Sequence, residues 1–315
     1  MTREVSDALT YVTIVCRRDL AFLELQVRSM ATFGASMQSA RCLVIANGAD
    51  VSLAREAKAA IDRVPATPGL RFDVLPSSAV VPELDCTWGW RSQQVLKLEV
   101  HRLVSTDWYV VLDAKNHFLR PFSTRDFVQE DGRGRIALQR HRGHMEPFLR
   151  ASLREFGLEA DEYLERGFPT TTPLPLHTRT VSLLSAHLGA EGRGSINDHL
   201  EKKAAQGVTE FFTYYGFLLL SRDGSFEELY SVGSEDNFVL FADVLSSEPR
   251  WAALMERVSR AEALSFGLHW RAALKLSQVQ ALEIAAMWAR KGLLSAEEGM
   301  ALLARMKSDV EEAAG

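Results

Sequence analysis

Residues 108–122 read WYVVLDAKNHFLRPF, an apolar run that ends in a polar cluster. The apolar residues 109–112 are followed directly by four polar or charged side chains: Asp113, Lys115, Asn116 and His117. A short apolar run rich in β-branched and aromatic residues is typical of a buried strand. The stretch therefore predicts a strand over 107–113 whose tip carries the polar cluster.

Shorter apolar runs predict further strands at 11–16 (YVTIVC), 41–48 (RCLVIANG), 70–76 (LRFDVLP) and 135–140 (RIALQR). Helical patterns begin at Leu20 and cover 52–64 and 91–104, and a polar and aromatic loop over 77–90 ends in Trp88-Gly89-Trp90. Alternating strands and helices are typical of an α/β fold, with a mainly parallel sheet and helices on both faces.

Polar residues follow three of these strands. Arg17 and Asp19 follow the first, Asn47 follows the second, and Asp113 ends the fourth. Ligands bind outside the carboxyl ends of the strands in open parallel sheets. We therefore expect these residues to converge on one site.

Composition narrows the functional class. The chain has 315 residues and a net charge of −5, and this acidic balance disfavours nucleic acid as the main partner. Cys16, Cys42 and Cys86 lack metal-site spacing and fit a reducing cytoplasm. Neither a signal peptide in MTREVSDALT nor a transmembrane segment is predicted, which leaves open a peripheral location at the inner face of the membrane.

The second half of the chain is less regular. Helices are predicted over 148–166 and 196–206, an extended segment or loop over 168–177, and a helix or mixed segment from 209. Beyond Arg271 the pattern is strongly helical, with Gly292 capping one helix and Ser295 with Glu298 forming a capping box for the next. We expect a catalytic domain over 1–270 and a helical extension over 271–315, which could mediate a homodimer.

Common nucleotide and hydrolase motifs are missing. No G-x-G-x-x-G follows the first strand, and neither a P-loop nor a G-x-S-x-G elbow occurs. These absences disfavour dinucleotide enzymes, P-loop NTPases and α/β-hydrolases.

The stretches YVTIVCRRD, GWRSQQVLKL, WYVVLDAKNHFLRP, TEFFTYYGFLL and LHW, spread over residues 11 to about 271, carry a family resemblance. The chain resembles a bacterial group of GT-A-type glycosyltransferase-like proteins. The resemblance implies a GT-A fold and a nucleotide-diphospho-sugar donor. Arg17, Asp19 and Asn47 would then contact the nucleotide, and Asn116 the sugar. The acceptor would be a glycan, a lipid or a small molecule.

In that family the fourth strand ends in an Asp-x-Asp motif, whose acids hold a divalent metal at the donor diphosphate. Asp113 matches the first acid, but Lys115 stands at the place of the second. Two alternatives follow. The Lys115 ammonium neutralises the diphosphate directly, or Asp113 holds Mn²⁺ or Mg²⁺ together with His269 or Asp236. His269 is the late histidine that the resemblance places near the donor.

The helix over 91–104 carries a polar stripe. Gln94, Lys97 and His101 share one face, opposite Leu96, Val100 and Leu103. The stripe is either solvated or reaches the donor through Gln94 and Lys97.

The acceptor side is assigned to the segment after residue 209. Glu210 precedes FFTYYGF, where partial burial among aromatic rings would make it a stronger base. Tyr214 and Tyr215 could stack on a sugar, and Glu235 with Asp236 is the rival acidic pair. His141 and His144 are interpreted as loop residues or acceptor contacts. Two other functions stay open: a nucleotidyltransferase, and a non-catalytic module that binds a sugar nucleotide or another partner.

Overall fold

The computed structural model describes residues 9–34, 40–66, 69–86, 89–221 and 225–313. The signal-peptide prediction falls largely on residues 1–8, outside this part, as does Trp88 of the predicted loop. The strands are β1 (Thr10–Val15), β2 (Ala40–Ala46), β3 (Leu70–Pro76), β4 (Trp108–Asp113), β5 (Asn116–Phe118), β6 (Gly134–Ile136), β7 (Leu174–His177), β8 (Tyr230–Val232), β9 (Asn237–Leu240) and β10 (Ser265–Leu268).

The α-helices are α1 (Leu20–Phe33), α2 (Ser52–Asp62), α3 (Gly89–Glu99), α4 (Glu146–Arg154), α5 (Thr178–Ala190), α6 (Ile196–Lys202), α7 (Glu210–Leu220), α8 (Phe226–Leu229), α9 (Glu248–Ser259), α10 (Trp270–Ala273), α11 (Gln278–Arg290) and α12 (Ala296–Glu312). Gly292 follows α11 with φ +73°, and the box of Ser295 and Glu298 opens α12, so both predicted caps are confirmed.

The central sheet has the order β3-β2-β1-β4-β7. β1 to β4 run parallel, and β7 pairs antiparallel with β4. Their sequences are apolar over most of their length, as expected for strands buried on both faces. The predicted α/β architecture with a mostly parallel central sheet and flanking helices is therefore confirmed.

The order of the strands fixes where a ligand can bind. The chain moves outward from β1 through β2 to β3 and then returns to place β4 on the other side of β1. The carboxyl ends of β1 and β4 therefore flank a switch point, where a crevice forms in open sheets of this kind. Ile14 lies opposite Asp113 in the register, so the residues after both strands lie close together.

One strand prediction was wrong. The segment 135–140 contributes only β6, which pairs with β8 in a separate two-stranded sheet. The fifth strand of the central sheet is β7, within the proline-containing stretch predicted as extended or loop. Pro175 is accommodated at the sheet edge, because a proline there needs no ladder donor on its outer side.

A third sheet closes over the end of β4. It has the order β5-β10-β9, and β10 runs antiparallel to β5. The Leu268 N–H donates to the Lys115 carbonyl at 3.2 Å, so the end of β10 lies directly against the predicted site.

The helices that follow β10 share the hydrophobic core with the rest of the chain. Trp288 of α11 is fully buried and donates from Nε1 to His117 Nε2 at 2.8 Å. Arg305 of α12 contacts Glu24 of α1 at 2.7 Å. The segment after Arg271 is thus packed on the strand tip and on α1.

Candidate functional site

The centre of the site is the carboxylate of Asp113, at the carboxyl end of β4. Lys97 Nζ lies 2.9 Å from Asp113 Oδ1, and Lys115 Nζ contacts Asp113 Oδ2. Burial alone would raise the pKa of Asp113, but the ammonium groups of Lys115 and Lys97 outweigh it and hold that pKa well below its usual range. Asp113 is therefore an anion that binds two cations, and the structure brings together three of the predicted site residues, Asp113, Lys115 and Lys97.

Lys97 joins this carboxylate to a second one. It projects from α3, and its Nζ lies 3.3 Å from Glu210 Oε1 at the start of α7. Burial opposes the charge on Lys97, yet Asp113 and Glu210 together raise its pKa. Glu210 was expected to be partly buried among aromatic rings; it is buried, and it also has a buried cation as its partner. The polar stripe of Gln94, Lys97 and His101 was expected either to be solvated or to reach the donor. The first alternative is wrong, because all three side chains are buried.

Lys115 is the more accessible of the two lysines. Its side chain is 20% exposed, against 8% for Lys97. Lys115 sits in the turn between β4 and β5, whereas Lys97 is held between two elements of the core. A ligand arriving at the strand ends therefore meets Lys115 and Asp113, whose side chain is 22% exposed, before it meets Lys97.

The turn that carries Lys115 is held from below by amide groups. Gln26 Nε2 donates to the carbonyls of Asp113 and Asn116 at 2.9 and 3.0 Å. Asn116 Oδ1 accepts from the Asp113 N–H at 2.8 Å, and its Nδ2 donates to the Thr172 carbonyl at 2.9 Å. Asn116 is 1% exposed, so the predicted sugar contact gives way to a role in positioning the turn.

Gln26 and Thr172 were missed by the sequence reasoning. Gln26 lies on the buried side of α1 and accepts from Thr13 Oγ1 at 2.7 Å. A polar residue at a core position of an amphipathic helix was the available signal for Gln26. Thr172 gave none, since its role depends on the return of the chain to Asn116.

Asp19 lies on the β1 side of the switch point. It accepts from the Cys16 N–H at 3.4 Å, and Arg18 is its nearest cation at 3.8 Å. Burial raises the pKa of Asp19 to about 6, against the opposing effects of Arg18 and Lys115. The structure thus brings Asp19 to the cluster, as an acid that titrates near neutral pH.

His269 approaches the cluster from β10. Burial, reinforced by Lys115 and Arg271, lowers its pKa to about 4, so it is neutral at physiological pH. Its Nδ1 accepts from the Arg271 N–H at 3.2 Å. The structure thus places a neutral imidazole beside Lys115.

The other predicted donor contacts lie further along the strand ends. Arg17 forms an exposed network with Asp50 and Glu56 at 3.0 and 2.7 Å, away from the lysines. Asn47 is buried at the end of β2 and donates to the Gly89 carbonyl at 3.0 Å, while its Oδ1 has no hydrogen-bond partner among the described residues. Gln94 is buried, and its amide likewise lacks a partner in the described part of the chain.

The predicted acceptor-side residues other than Glu210 do not join the cluster. Tyr214 is buried and shares a 2.8 Å hydrogen bond with Tyr230, and Tyr215 is buried against Phe168. Asp236 pairs with Arg135 at 2.7 Å. It lines a separate cleft with Asp126, Arg135, Gln139, Thr171 and Glu235.

The remaining histidines have local partners. His101 Nδ1 and His141 Nε2 lie 2.9 and 2.7 Å from backbone carbonyls, and both side chains are buried. His144 packs edge-on against Phe148 on the surface. None of the three lies with Asp113.

The donor set does not fit the metal that the family resemblance implies. Both oxygens of Asp113 are already engaged by ammonium groups, and Lys115 stands where a second acid would be needed. Within the described ranges, no group of three or more His, Cys, Asp and Glu side chains is arranged to hold a metal ion.

No helix in the same ranges is long and apolar enough to cross a bilayer.

Comparisons with known proteins place the chain by family. No curated protein matches it significantly. A family model described as a family of unknown function (DUF6492) matches residues 10–264, from the start of β1 to the residue before β10. The match includes Lys97, Asp113, Lys115 and Glu210, and it covers well over half of the chain. The protein therefore belongs to this family of unknown function, DUF6492.

Proposed function

We propose that the chain is a GT-A-type glycosyltransferase that transfers a sugar from a nucleotide-diphospho-sugar, with Lys115 in place of a divalent metal. One observation carries the proposal. Asp113 ends β4 beside the switch point, and both its oxygens are held by lysines, of which one is accessible. A departing diphosphate needs positive charge nearby, and a lysine supplies it as a point charge.

The two lysines have different roles in this proposal. Lys97 is buried and fixes Asp113, so that Asp113 in turn orients Lys115. The Lys115 ammonium has three donors and uses one on Asp113, which leaves donors for phosphate oxygens. Neutral His269 beside Lys115 adds no competing charge.

Glu210 is the acceptor-side residue of the proposal. It would take the proton of an acceptor hydroxyl as that hydroxyl attacks the anomeric carbon and the bond from that carbon to the diphosphate breaks. Its position 3.3 Å from Lys97 links it to the donor side. If Glu210 is this base, Glu210→Gln should slow transfer by roughly 10²–10⁴-fold with donor binding unchanged.

The second candidate is a non-catalytic module that binds a sugar nucleotide. The ion pair with Lys97 and the 9% exposure of the Glu210 side chain favour it, because a base must reach its substrate. Turnover separates the two candidates. An enzyme releases free nucleoside diphosphate from the donor, slowly even without acceptor, whereas a module returns the donor intact.

The decisive experiment is a melting-temperature panel of nucleotide sugars and free nucleotides in the presence of EDTA. A ligand at 100 times its Kd stabilises by about 2.7 kcal/mol, which is readily visible in a melt. Lys115→Ala should weaken donor binding by about 1.5–3 kcal/mol, the range for hydrogen bonds to charged groups. Lys58→Ala, on the exposed face of α2, is the control for loss of one lysine.

The outcomes separate the parts of the proposal. Shifts that persist in EDTA and shrink in Lys115→Ala support it. Shifts that appear only with Mn²⁺ or Mg²⁺ would contradict the role of Lys115 in place of a metal, but they would still support binding of a sugar nucleotide. A panel without any shift would leave the donor site without support.

A further inference from the structure

Two arginines share one tryptophan ring at the mouth of the site. The guanidinium carbons of Arg18 and Arg271 each lie 4.9 Å from the centre of the Trp270 ring. Arg18 follows β1, whereas Trp270 and Arg271 follow β10, so two distant segments of the chain build this group. An indole face attracts guanidinium groups, and it fixes their planes for binding a planar or tetrahedral anion.

This group adjoins the Asp113 and Lys115 pair. The backbone of Leu268, two residues before Trp270, bonds to the Lys115 carbonyl at 3.2 Å. Between them stands His269, whose imidazole stacks on Trp270 with ring centres 5.6 Å apart. The charges of Lys115, Arg271 and Arg18, and the opposing charge of Asp113, all act on this imidazole, so the two arginines lie close to the Asp113 and Lys115 pair.

Neither arginine of this group makes a close ion pair among the described residues, whereas Lys115 is paired with Asp113. Within the described part of the chain, the carboxylate nearest to Arg18 is Asp19 at 3.8 Å, too long for a hydrogen bond, and Arg271 pairs with no carboxylate. The buried Arg18 Nε has no hydrogen-bond partner among the same residues. That nitrogen is closed to solvent, so the terminal nitrogens of Arg18 and Arg271 are the donors left for an arriving anion.

We propose that Arg18 and Arg271, stacked on Trp270, form a phosphate-binding site beside Lys115. The ligand class is a phosphate or diphosphate group. Two sources fit: the diphosphate of the donor, in which case this inference deepens the proposed function and rests on it, or a phosphate on a second substrate. Arginine suits this task because its planar fork holds phosphate oxygens in pairs.

The test is calorimetric titration with inorganic pyrophosphate, with uridine and guanosine diphosphates, and with uridine and guanosine. We expect pyrophosphate and one of the diphosphates to bind wild-type protein, and Arg271→Gln to weaken both by about 10-fold or more. Arg271→Lys, which keeps the charge and loses the planar fork, should recover only part of the affinity. Arg271 is exposed, so these variants should fold.

Arg71→Gln is the matched control, since it removes one arginine that is likewise exposed, at the amino end of β3, across the sheet from the site. Pyrophosphate affinity should be unchanged in this variant. An equal loss in Arg71→Gln and Arg271→Gln would reduce the effect to general electrostatics and overturn the proposal. Absence of pyrophosphate binding to the wild-type protein would overturn it as well.

The same titrations separate this inference from the proposed function. A nucleoside diphosphate that binds equally well to wild type and Arg271→Gln overturns the inference and leaves the donor proposal standing. If pyrophosphate binds through Arg271 but no nucleoside diphosphate or nucleotide sugar binds, the phosphate site is supported and the proposal of a nucleotide-sugar donor is contradicted. Competition between pyrophosphate and the nucleotide identifies the donor diphosphate as the source, and simultaneous binding identifies a second substrate.

Discussion

Lys97 is the residue on which the charge balance of the site depends. Its ammonium is the buried cation between Asp113 and Glu210. Lys97→Met keeps the length of the side chain but leaves Glu210 without this partner. Removing one member of a buried ion network costs about 3–5 kcal/mol, because the remaining charges lose their compensation. Urea unfolding should show this loss in the free energy of unfolding.

The control for Lys97→Met is Lys58→Met on α2. Lys58 pairs with Asp62, but its side chain is 52% exposed and the pair is screened by water. Its substitution should barely move the urea midpoint. Similar midpoints for the two variants would show that Lys97 contributes no more than a surface lysine.

Asp19 makes the stability of the protein depend on pH. Its pKa is 3.8 in the unfolded reference and about 6 in the fold, so the fold favours its protonated form. Its stabilising contribution is therefore complete below pH 3.8 and is lost as the pH rises through 6. Asp19→Asn avoids this loss and should be more stable than wild type at pH 8, by up to about 3 kcal/mol. Urea melts at pH 4 and 8 test it, and a difference that is equal at both pH values would refute it.

Single residues were predicted from sequence only where local pattern sets their position. Asp113 and Lys115 lie at the carboxyl end of an apolar strand, and in parallel sheets this end of the strands is where ligands bind. Lys97, the partner of Glu210, and Thr172, one of the partners of Asn116, lie more than 50 residues away from them in the chain. Their roles were fixed by tertiary contacts, which no local pattern reports.

At the scale of elements, the contact between α11 and β5 holds the tip of the central sheet. Trp288 is fully buried and donates to His117, one residue after Asn116 of the site turn. Burial lowers the pKa of His117 to about 3, so a neutral ring accepts this bond. Trp288→Phe would leave His117 Nε2 without its donor and should lower the free energy of unfolding by about 1–3 kcal/mol or more.

Trp90→Phe is the comparison for this helix contact. Trp90 is 53% exposed on α3, so the same change there should have little effect on thermal stability. A Trp288→Phe variant as stable as Trp90→Phe would show that α11 adds no specific support to β5.

The elements themselves were predictable in proportion to their periodicity. β1 to β4 were predicted from apolar runs, and capping residues predicted the end of α11 and the start of α12. β7 was not predicted as a strand, because proline is unfavourable in most strands. Pro175 is tolerated in β7 because an edge strand needs hydrogen bonds on one side only. The partner of β6 was unpredictable for a different reason, since β8 lies almost 100 residues later.

At the scale of the whole molecule, the residues after Arg271 could form either a separate helical extension or part of the main hydrophobic core. Their buried side chains, among them Ile284, Trp288 and Met306, belong to the same hydrophobic cluster as the central sheet. Each large apolar side chain contributes about 1.5–3 kcal/mol when buried. A chain that ends at Lys275 should therefore lose its cooperative thermal transition. A sharp transition near that of the full chain would instead identify an independent domain over 1–270.

The pairing of Arg18 with Trp270 also has a consequence for biosynthesis. About 250 residues separate the two, and a ribosome adding roughly 5–20 residues per second needs about 13–50 s to make them. During this interval β1 to β4 can already be outside the ribosome, with Lys115 in place but its aromatic neighbour not yet translated. A ligand that needs both halves cannot assist the folding of the nascent sheet. Such a ligand can bind only after Trp270 and Arg271 have been translated.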